Sequence, residues 1–211
     1  MKKAALFILI IINSFIASAQ EPKVISDCTV LFDVSVENDK ADAEVVKSMI
    51  GSTKVLYIKG SKSRSDLITP RFKQITFFDE KSDSTIILRE LGNSKYITYL
   101  SGAKRQEKNK KYAGVQFTNT GEKKVILGYE CSKVVAKLTD GSTFNVFYTT
   151  SIVPANKEYE YQFRDLPGFV LEYEEEPEGR KAKIKYSATQ ITLVPVPVAK
   201  FDLPTSGYRV L

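Results

Sequence analysis

The sequence contains no histidine and no tryptophan among its 211 residues. Without histidine, a chain cannot build a Ser-His-Asp or Cys-His nucleophile, a His-ligated zinc site or a haem held by a proximal histidine. The serines of KGSKSRSD (residues 59–66) and the glycine of TGEKK (residues 120–124) also lack the spacing of a nucleophile elbow or a phosphate-binding loop. The composition therefore predicts a protein that is not an enzyme and that carries no cofactor and no metal.

Long apolar runs are missing beyond the N-terminus. The first residues combine Lys2 and Lys3 with an apolar run over 4–12 and an A-x-A cleavage pattern at 17–19. Because a membrane-spanning helix needs about 20 apolar residues, we expect a cleaved signal peptide over 1–19 and not a membrane anchor. A single domain over 20–211 should then be exported to the periplasm, with secretion as the alternative.

Cysteine is scarce, with only Cys28 and Cys131 in the chain. An even number of cysteines in an exported protein favours a disulfide. Such a bridge would close a loop of about a hundred residues and stabilise the fold by several kcal/mol. The alternative is two buried, unpaired thiols, which folded proteins tolerate well.

Excess charge of either sign is small. Beyond residue 19 the chain has 29 Lys and Arg against 25 Asp and Glu, which is a net charge of +4. Binding of nucleic acid usually requires a much larger basic excess, so we expect no nucleic-acid partner.

Short strands separated by turn residues dominate the rest of the sequence. CTVLFDVSV (residues 28–36) alternates apolar and polar residues, and glycines at 60 and 92 mark hairpins. Asp140-Gly141 is typical of a two-residue type I′ turn, which would place Leu138 opposite Thr143. Two segments predict helices: 38–52, with Asp39 as a cap, and 101–114. The pattern indicates a mainly β, α+β fold.

The acidic run EYEEEPEGRKAKIKY (residues 172–186) predicts a hairpin and not a cation site. A four-residue loop over 177–180 would place Glu174 opposite Lys183 and Glu172 opposite Lys185. Opposite charges on an exposed ladder stabilise a sheet by about 0.2–1 kcal/mol per pair. We therefore expect the carboxylates to form the solvated face of this hairpin.

The second predicted helix carries a basic surface. We expect its side chains to contact anionic head groups or an acidic partner, or simply to be solvated. The candidate contact residues are Lys104, Arg105, Lys108, Lys110 and Lys111.

Three segments resemble bacterial exported families of unassigned function, of which GLPGLI is one: residues 123–152, LPGFVLEYE (166–174) and KFDLPTSGYRVL (200–211). Residues 165–170 match the GLPGLI motif in part, since the leading glycine is missing. The resemblance implies the LolA/LolB-like fold of lipoprotein carriers, a single strongly curved antiparallel sheet or half-barrel with two short helices, here 40–50 and 101–113, over its concave side. Such a fold implies six aromatic residues that line or fill a cavity, namely Phe77, Tyr99, Phe117, Phe144, Phe169 and Tyr173.

The leading hypothesis is a non-enzymatic cell-envelope protein that binds a lipid, an acyl chain or another hydrophobic ligand in the concave face. The expected partners are a lipid or lipidated protein and an anionic membrane surface, and the expected state is a monomer. The alternative is an envelope interaction module with a packed core and no ligand. A hydrolase that works without histidine is the third hypothesis.

Overall fold

The computed structural model describes residues 21–37, 43–176 and 182–211. The described helices are α1 (Ala43–Met49) and α2 (Gly102–Lys108), with 3-10 turns at Lys110–Tyr112, Tyr161–Phe163 and Val198–Phe201. The described strands are β1 Lys23–Ile25, β2 Asp27–Glu37, β3 Thr53–Lys59, β4 Lys62–Ile68, β5 Phe72–Asp79, β6 Ser84–Leu91, β7 Ser94–Leu100, β8 Gln116–Ile126, β9 Tyr129–Lys137, β10 Thr143–Thr149, β11 Ile152–Pro154, β12 Phe169–Glu175, β13 Lys183–Thr192 and β14 Arg209–Val210.

Twelve of these strands form one large curved sheet that does not close into a barrel. Its order is β14-β7-β6-β5-β4-β3-β2-β13-β12-β10-β9-β8, and every neighbouring pair is antiparallel except β14 with β7. Strands β1 and β11 form a second, two-stranded parallel sheet. The predicted mainly β fold is confirmed, but the single, wholly antiparallel sheet is wrong in these two parallel pairings.

The hairpins predicted at glycines are confirmed. Strands β3 and β4 pair up to Lys59 and Lys62, which leaves Gly60 and Ser61 as a two-residue turn. Gly60 has φ +55°, in the left-handed region that glycine adopts without steric cost. Strands β6 and β7 turn in the same way at Gly92, so five strands from β3 to β7 follow one another as a meander.

The hairpin of β9 and β10 differs from its prediction by one residue. Thr143 pairs with Lys137, not with Leu138, so the connection is a five-residue loop over 138–142. The Asp140 carboxylate accepts hydrogen bonds from the backbone N–H and the hydroxyl of Ser142, at 2.9 and 2.6 Å. Only Gly141 of the predicted turn pair has a positive φ, and a type I′ turn needs two such residues.

The acidic hairpin forms in a register shifted by two residues, and its carboxylates are less solvated than predicted, since the side chains of Glu172 and Glu174 are each 13% exposed. Glu174 pairs with Lys185, and Tyr173 pairs with Tyr186 on the other face. The expected ion pairs still form along the diagonals, at 3.4 Å between Lys183 and Glu174 and 3.6 Å between Lys185 and Glu172. The loop at 177–181 lies outside the described residues.

The two faces of the sheet carry different cores. The main core includes the buried residues of β2, β9, β10, β12 and β13. It lies mostly on the inner face, which we define by Leu56 and Ile58 of β3, and continues onto the other face at Phe147 of β10. A smaller cluster on the outer face contains Ile75, Phe77 and other residues of β5–β7. Phe201 and Tyr208 of the C-terminal segment pack on this outer cluster.

The two helices differ in what they cover. Helix α1 packs on β2 and buries Val45 and Met49, while Ile50 just beyond it is 66% exposed. Helix α2 packs on β6 and β7. The predicted cap Asp39 lies outside the described residues. None of the described helices has the length and apolarity needed to cross a bilayer.

Candidate functional site

A cavity of about 370 Å³ lies against the inner face, between strands β3–β7 on one side and helix α2 with the segment 158–162 on the other. Its walls combine seven charged side chains, five tyrosines and a few aliphatic groups. The charged side chains are Lys54, Arg105, Lys108, Lys111, Glu158, Glu160 and Glu175, and the tyrosines are Tyr112, Tyr159, Tyr161, Tyr173 and Tyr186.

Lys54 is the buried cation in the wall of this cavity. Its ammonium forms an ion pair with Glu160 and donates a hydrogen bond of 2.5 Å to the hydroxyl of Tyr173. It also lies 5.0 and 5.2 Å from the ring centroids of Tyr173 and Tyr186 and 5.7 Å from that of Phe32. A buried charge needs such partners because it has lost its hydration, and the rings supply cation–π attraction.

Arg105 connects helix α2 to the neighbouring segment 158–162 and to strand β5. Its guanidinium lies 3.7 Å from the ring centroid of Phe78 and 4.9 Å from that of Tyr161. It forms an ion pair with Glu158 and approaches Asp83 to 3.7 Å. The residue is only 5% exposed, so this planar cation fixes α2 against the sheet through stacking as well as charge.

The tyrosines next to Lys54 are neutral hydroxyl groups at ordinary pH. Tyr173 and Tyr186 are stacked with a centroid distance of 4.6 Å. Burial first, and the nearby carboxylates Glu160 and Glu175 second, raise the pKa of both phenols well above 10. Burial and the Glu175 charge raise the pKa of Tyr112 in the same direction. These phenols can therefore donate hydrogen bonds to a ligand or to Glu175.

One buried hydroxyl in the wall has no partner. Thr85 of β6 lines the cavity and is 5% exposed, and its side-chain oxygen forms no hydrogen bond with the described residues. An unsatisfied buried hydroxyl costs about 1–3 kcal/mol. A polar atom of a ligand could satisfy it.

Of the six aromatic residues predicted for the cavity, only Tyr173 lines it. Phe169 is fully buried and stacks on Tyr159 at 5.1 Å, and Phe144 packs edge-on against Tyr112. Phe117 is partly buried against the same core. These three fill the core instead of lining the cavity.

The other two predicted aromatic residues lie on the outer face of the sheet, away from the cavity. Phe77 belongs to the outer cluster, and Tyr99, which shares its face through Ile86, is 53% exposed. Successive side chains of a strand point to opposite faces. The phenylalanine that reaches the cavity is therefore Phe78 and not Phe77.

The basic segment does not form one surface. Arg105 is buried, so its prediction as a surface contact is wrong. Lys104, Lys108, Lys110 and Lys111 are exposed, as expected. Lys108 and Lys111 also border the cavity, whereas Lys110 pairs with Glu107 at 2.8 Å.

The predicted disulfide is not formed. Cys28 and Cys131 are both free thiols, and neither is exposed. Strands β13, β12 and β10 lie between β2 and β9 in the sheet, so the two cysteines do not sit on neighbouring strands. Burial, with a small contribution from Asp27, raises the pKa of the Cys28 thiol to about 12.

Sequence reasoning missed Lys54, Glu160, Glu158 and the buried role of Arg105. One signal was available for Lys54, because in TKVLYIK it alternates in phase with Leu56 and Ile58, which are core residues. A lysine in phase with a buried face indicates either a partner or a site. No comparable signal identifies Glu160, which is separated from Lys54 by 106 positions.

Comparison with known proteins gives a family and a few distant structures. A family model described as a domain of unknown function, DUF4412, matches residues 44–165. This is a different family from GLPGLI, which the motifs resemble. No curated protein matches the chain.

Three solved structures are similar to this chain at low identity. PNGF-II has 16% identity and a TM-score of 0.49 over 87% of this chain, which spans only 30% of PNGF-II. An uncharacterized conserved protein from Thermus thermophilus has 9% identity and a TM-score of 0.49, over 88% of this chain and 90% of that one. A beta-barrel-like protein of DUF1849 from Brucella abortus has 10% identity and a TM-score of 0.37, over 82% and 99%. These likenesses are too distant to transfer an activity.

Proposed function

This chain belongs to the DUF4412 family, and from its own geometry we propose that it is a non-enzymatic cell-envelope protein that binds a small molecule in the cavity under helix α2. The observation that carries the proposal is the cavity itself. Its volume of about 370 Å³ falls within the range of small-molecule sites, which is about 300–1,000 Å³. Its wall contains an unsatisfied buried hydroxyl, that of Thr85.

The lining favours a ligand with polar groups over a bare acyl chain. Aliphatic and aromatic surface is present at Leu67, Phe78 and Ile87, but serines, threonines and charged side chains alternate with it. An acyl chain would cover polar groups without replacing their hydrogen bonds, which costs free energy. We therefore propose an amphipathic ligand with one apolar face, which narrows the expectation of a lipid, an acyl chain or another hydrophobic ligand.

Binding is a better use of these residues than catalysis. The two buried cations, Lys54 and Arg105, each form an ion pair with a glutamate of the segment 158–162. A general acid or base needs a group that is free to exchange a proton with the substrate. Here both cations are instead engaged in ion pairs within the wall, which would preorganise it for recognition.

The envelope location rests on the N-terminal pattern, and residues 1–20 lie outside the described structure. The curved open sheet with a helix over its inner face supports a carrier-like architecture, such as that of the lipoprotein carriers, as part of the same proposal. An anionic membrane surface remains the expected partner.

The test is to bind an anionic aromatic dye, 8-anilinonaphthalene-1-sulfonate, to the purified protein and to block the cavity. Thr76 lines the cavity between Ser65 and Ile87, so Thr76→Phe should fill it and abolish dye binding. Lys73→Phe, on the outer face of the same strand, is the matched control and should bind the dye as the parent does. Absence of saturable binding to the parent, or equal binding by the parent and Thr76→Phe, would reject the proposal.

A further inference from the structure

The charges around the cavity are not balanced at its mouth. Glu158 pairs with Arg105 and Glu160 pairs with Lys54, so the buried cations of the wall are neutralised by these glutamates. Lys108 makes no ion pair with any described residue. The nearest acid of its own helix, Glu107, is held by Lys110 instead.

Lys111 also lacks a carboxylate within ion-pair distance among the described residues. Its ammonium lies 4.8 Å from the ring centroid of Tyr112, another residue of the wall. Hydrogen bonds from Ser142 lower the pKa of Asp140, and the charge of Lys111 adds a smaller lowering effect. Lys111 is thus near Asp140 without being paired to it.

The remaining carboxylate of the wall does not compensate for these lysines. Glu175 accepts a hydrogen bond of 3.4 Å from the hydroxyl of Tyr112. The seven charged residues of the wall therefore comprise four cations and three carboxylates, and the surplus lies with Lys108 and Lys111, which are both exposed.

We propose that Lys108 and Lys111 bind the anionic group, a carboxylate, sulfonate or phosphate, of an amphipathic ligand whose apolar part lies in the cavity. This inference rests on the proposed function, and it assigns the ligand class. Thr85, whose buried hydroxyl forms no hydrogen bond with the described residues, lines the same cavity. The tyrosine rings of the wall supply flat apolar surface with neutral hydroxyl groups.

Two dyes that differ by one anionic group test the inference. N-phenyl-1-naphthylamine has the aromatic skeleton of 8-anilinonaphthalene-1-sulfonate without the sulfonate. Replacing both lysines, as Lys108→Gln with Lys111→Gln, should weaken binding of the sulfonate dye at least about tenfold. A tenfold change corresponds to about 1.4 kcal/mol, which is no more than the loss of one charge-assisted hydrogen bond. Binding of the neutral dye should be unchanged, and added salt should weaken the binding of the sulfonate dye alone.

The matched control replaces two exposed lysines of the same segment that do not border the cavity, as Lys104→Gln with Lys110→Gln, and should leave both dyes unaffected. If Thr76→Phe abolishes binding of the sulfonate dye but the loss of Lys108 and Lys111 does not change it, the cavity binds a ligand and the proposed anion-binding role of the two lysines is refuted. If Thr76→Phe has no effect, the proposed function itself fails.

The source of the anion can be identified with vesicles. Co-sedimentation with phosphatidylglycerol vesicles but not with phosphatidylcholine vesicles, lost in the Lys108 and Lys111 variant, would identify a lipid headgroup. Lysine-dependent dye binding without co-sedimentation would identify a free organic anion. Both results support the site.

Discussion

Replacement of Lys54 by methionine tests whether the buried ion pair holds the wall of the cavity. The side chains of Lys54 and Glu160 are 8% and 9% exposed, and Lys54 also donates a hydrogen bond to Tyr173. Lys54→Met keeps an unbranched side chain of similar length but removes the charge. Glu160 is then left buried with a hydrogen bond of 3.1 Å from Gln162 as its remaining polar contact among the described residues.

The expected magnitude follows from the uncompensated carboxylate. Removing one partner of a buried ion pair typically costs about 3–5 kcal/mol, whereas removing both charges together is often nearly neutral. We therefore expect Lys54→Met to lower the free energy of unfolding by about 3 kcal/mol or more. Adding Glu160→Gln to Lys54→Met should recover most of that loss, giving a coupling energy of at least about 1.5 kcal/mol.

The assay is urea denaturation followed by far-ultraviolet circular dichroism for the parent, both single variants and the double variant. The matched control is Lys59→Met on the same strand. Lys59 pairs with Asp27 at 3.1 Å, but the two side chains are 30% and 27% exposed, so the control should cost less than about 1 kcal/mol. Equal losses from Lys54→Met and Lys59→Met, or a zero coupling energy, would refute the reasoning.

Four further results are expected. Gly168→Ala should lower the free energy of unfolding by about 1–3 kcal/mol, because the added Cβ would lie 2.0 Å from a backbone oxygen. The added Cβ of Gly102→Ala meets only the movable side chain of Asp83, so this substitution should cost less than about 0.5 kcal/mol, as surface substitutions usually do. Equal urea midpoints for the two variants would contradict this. Thr85→Val should raise stability in the same assay by about 1 kcal/mol, since it removes an unsatisfied hydroxyl, and a loss would show that the hydroxyl is satisfied. Alkylation should label both cysteines in urea without reductant and neither in the native protein; no label in urea would indicate a disulfide. Folding raises the pKa of the Cys28 thiol from 9.0 to about 12. The stability that the neutral thiol contributes is therefore complete below pH 9 and is lost as the pH rises towards 12. Cys28→Ala should accordingly reduce the decline in urea midpoint between pH 8 and 10.

Local turn chemistry made much of the fold predictable from the sequence. Gly60 and Gly92 sit in tight turns that fix the register of their hairpins without help from the rest of the chain. The predicted register of the β9–β10 hairpin was wrong because Val134 and Val135 are adjacent, so the apolar pattern fits either register. Packing of Val134 against Val146 in the main core decides between them.

The site was much less predictable, because contacts between distant segments build it. The adjacent phenylalanines Phe77 and Phe78 give no local sign of which one faces inwards, and the pairing with neighbouring strands decides it. The partner of Arg105 is Glu158, which comes from a segment far along the chain. The basic helix α2 and the segment 158–162, which carries Glu158 and Glu160, would each be expected to be solvated if considered alone.

The order of strands has a consequence for how the molecule assembles. Strands β3–β7 and β8–β10 are local meanders that can form early, but β2 and β13, which come from opposite ends of the described chain, join the two halves of the sheet. Contacts between such distant segments close late, because the entropy of a large loop must be lost first. The family region 44–165 omits both joining strands as well as β12. A fragment limited to that region would expose β3 and β10 as unpaired edges, which are templates for association with other chains.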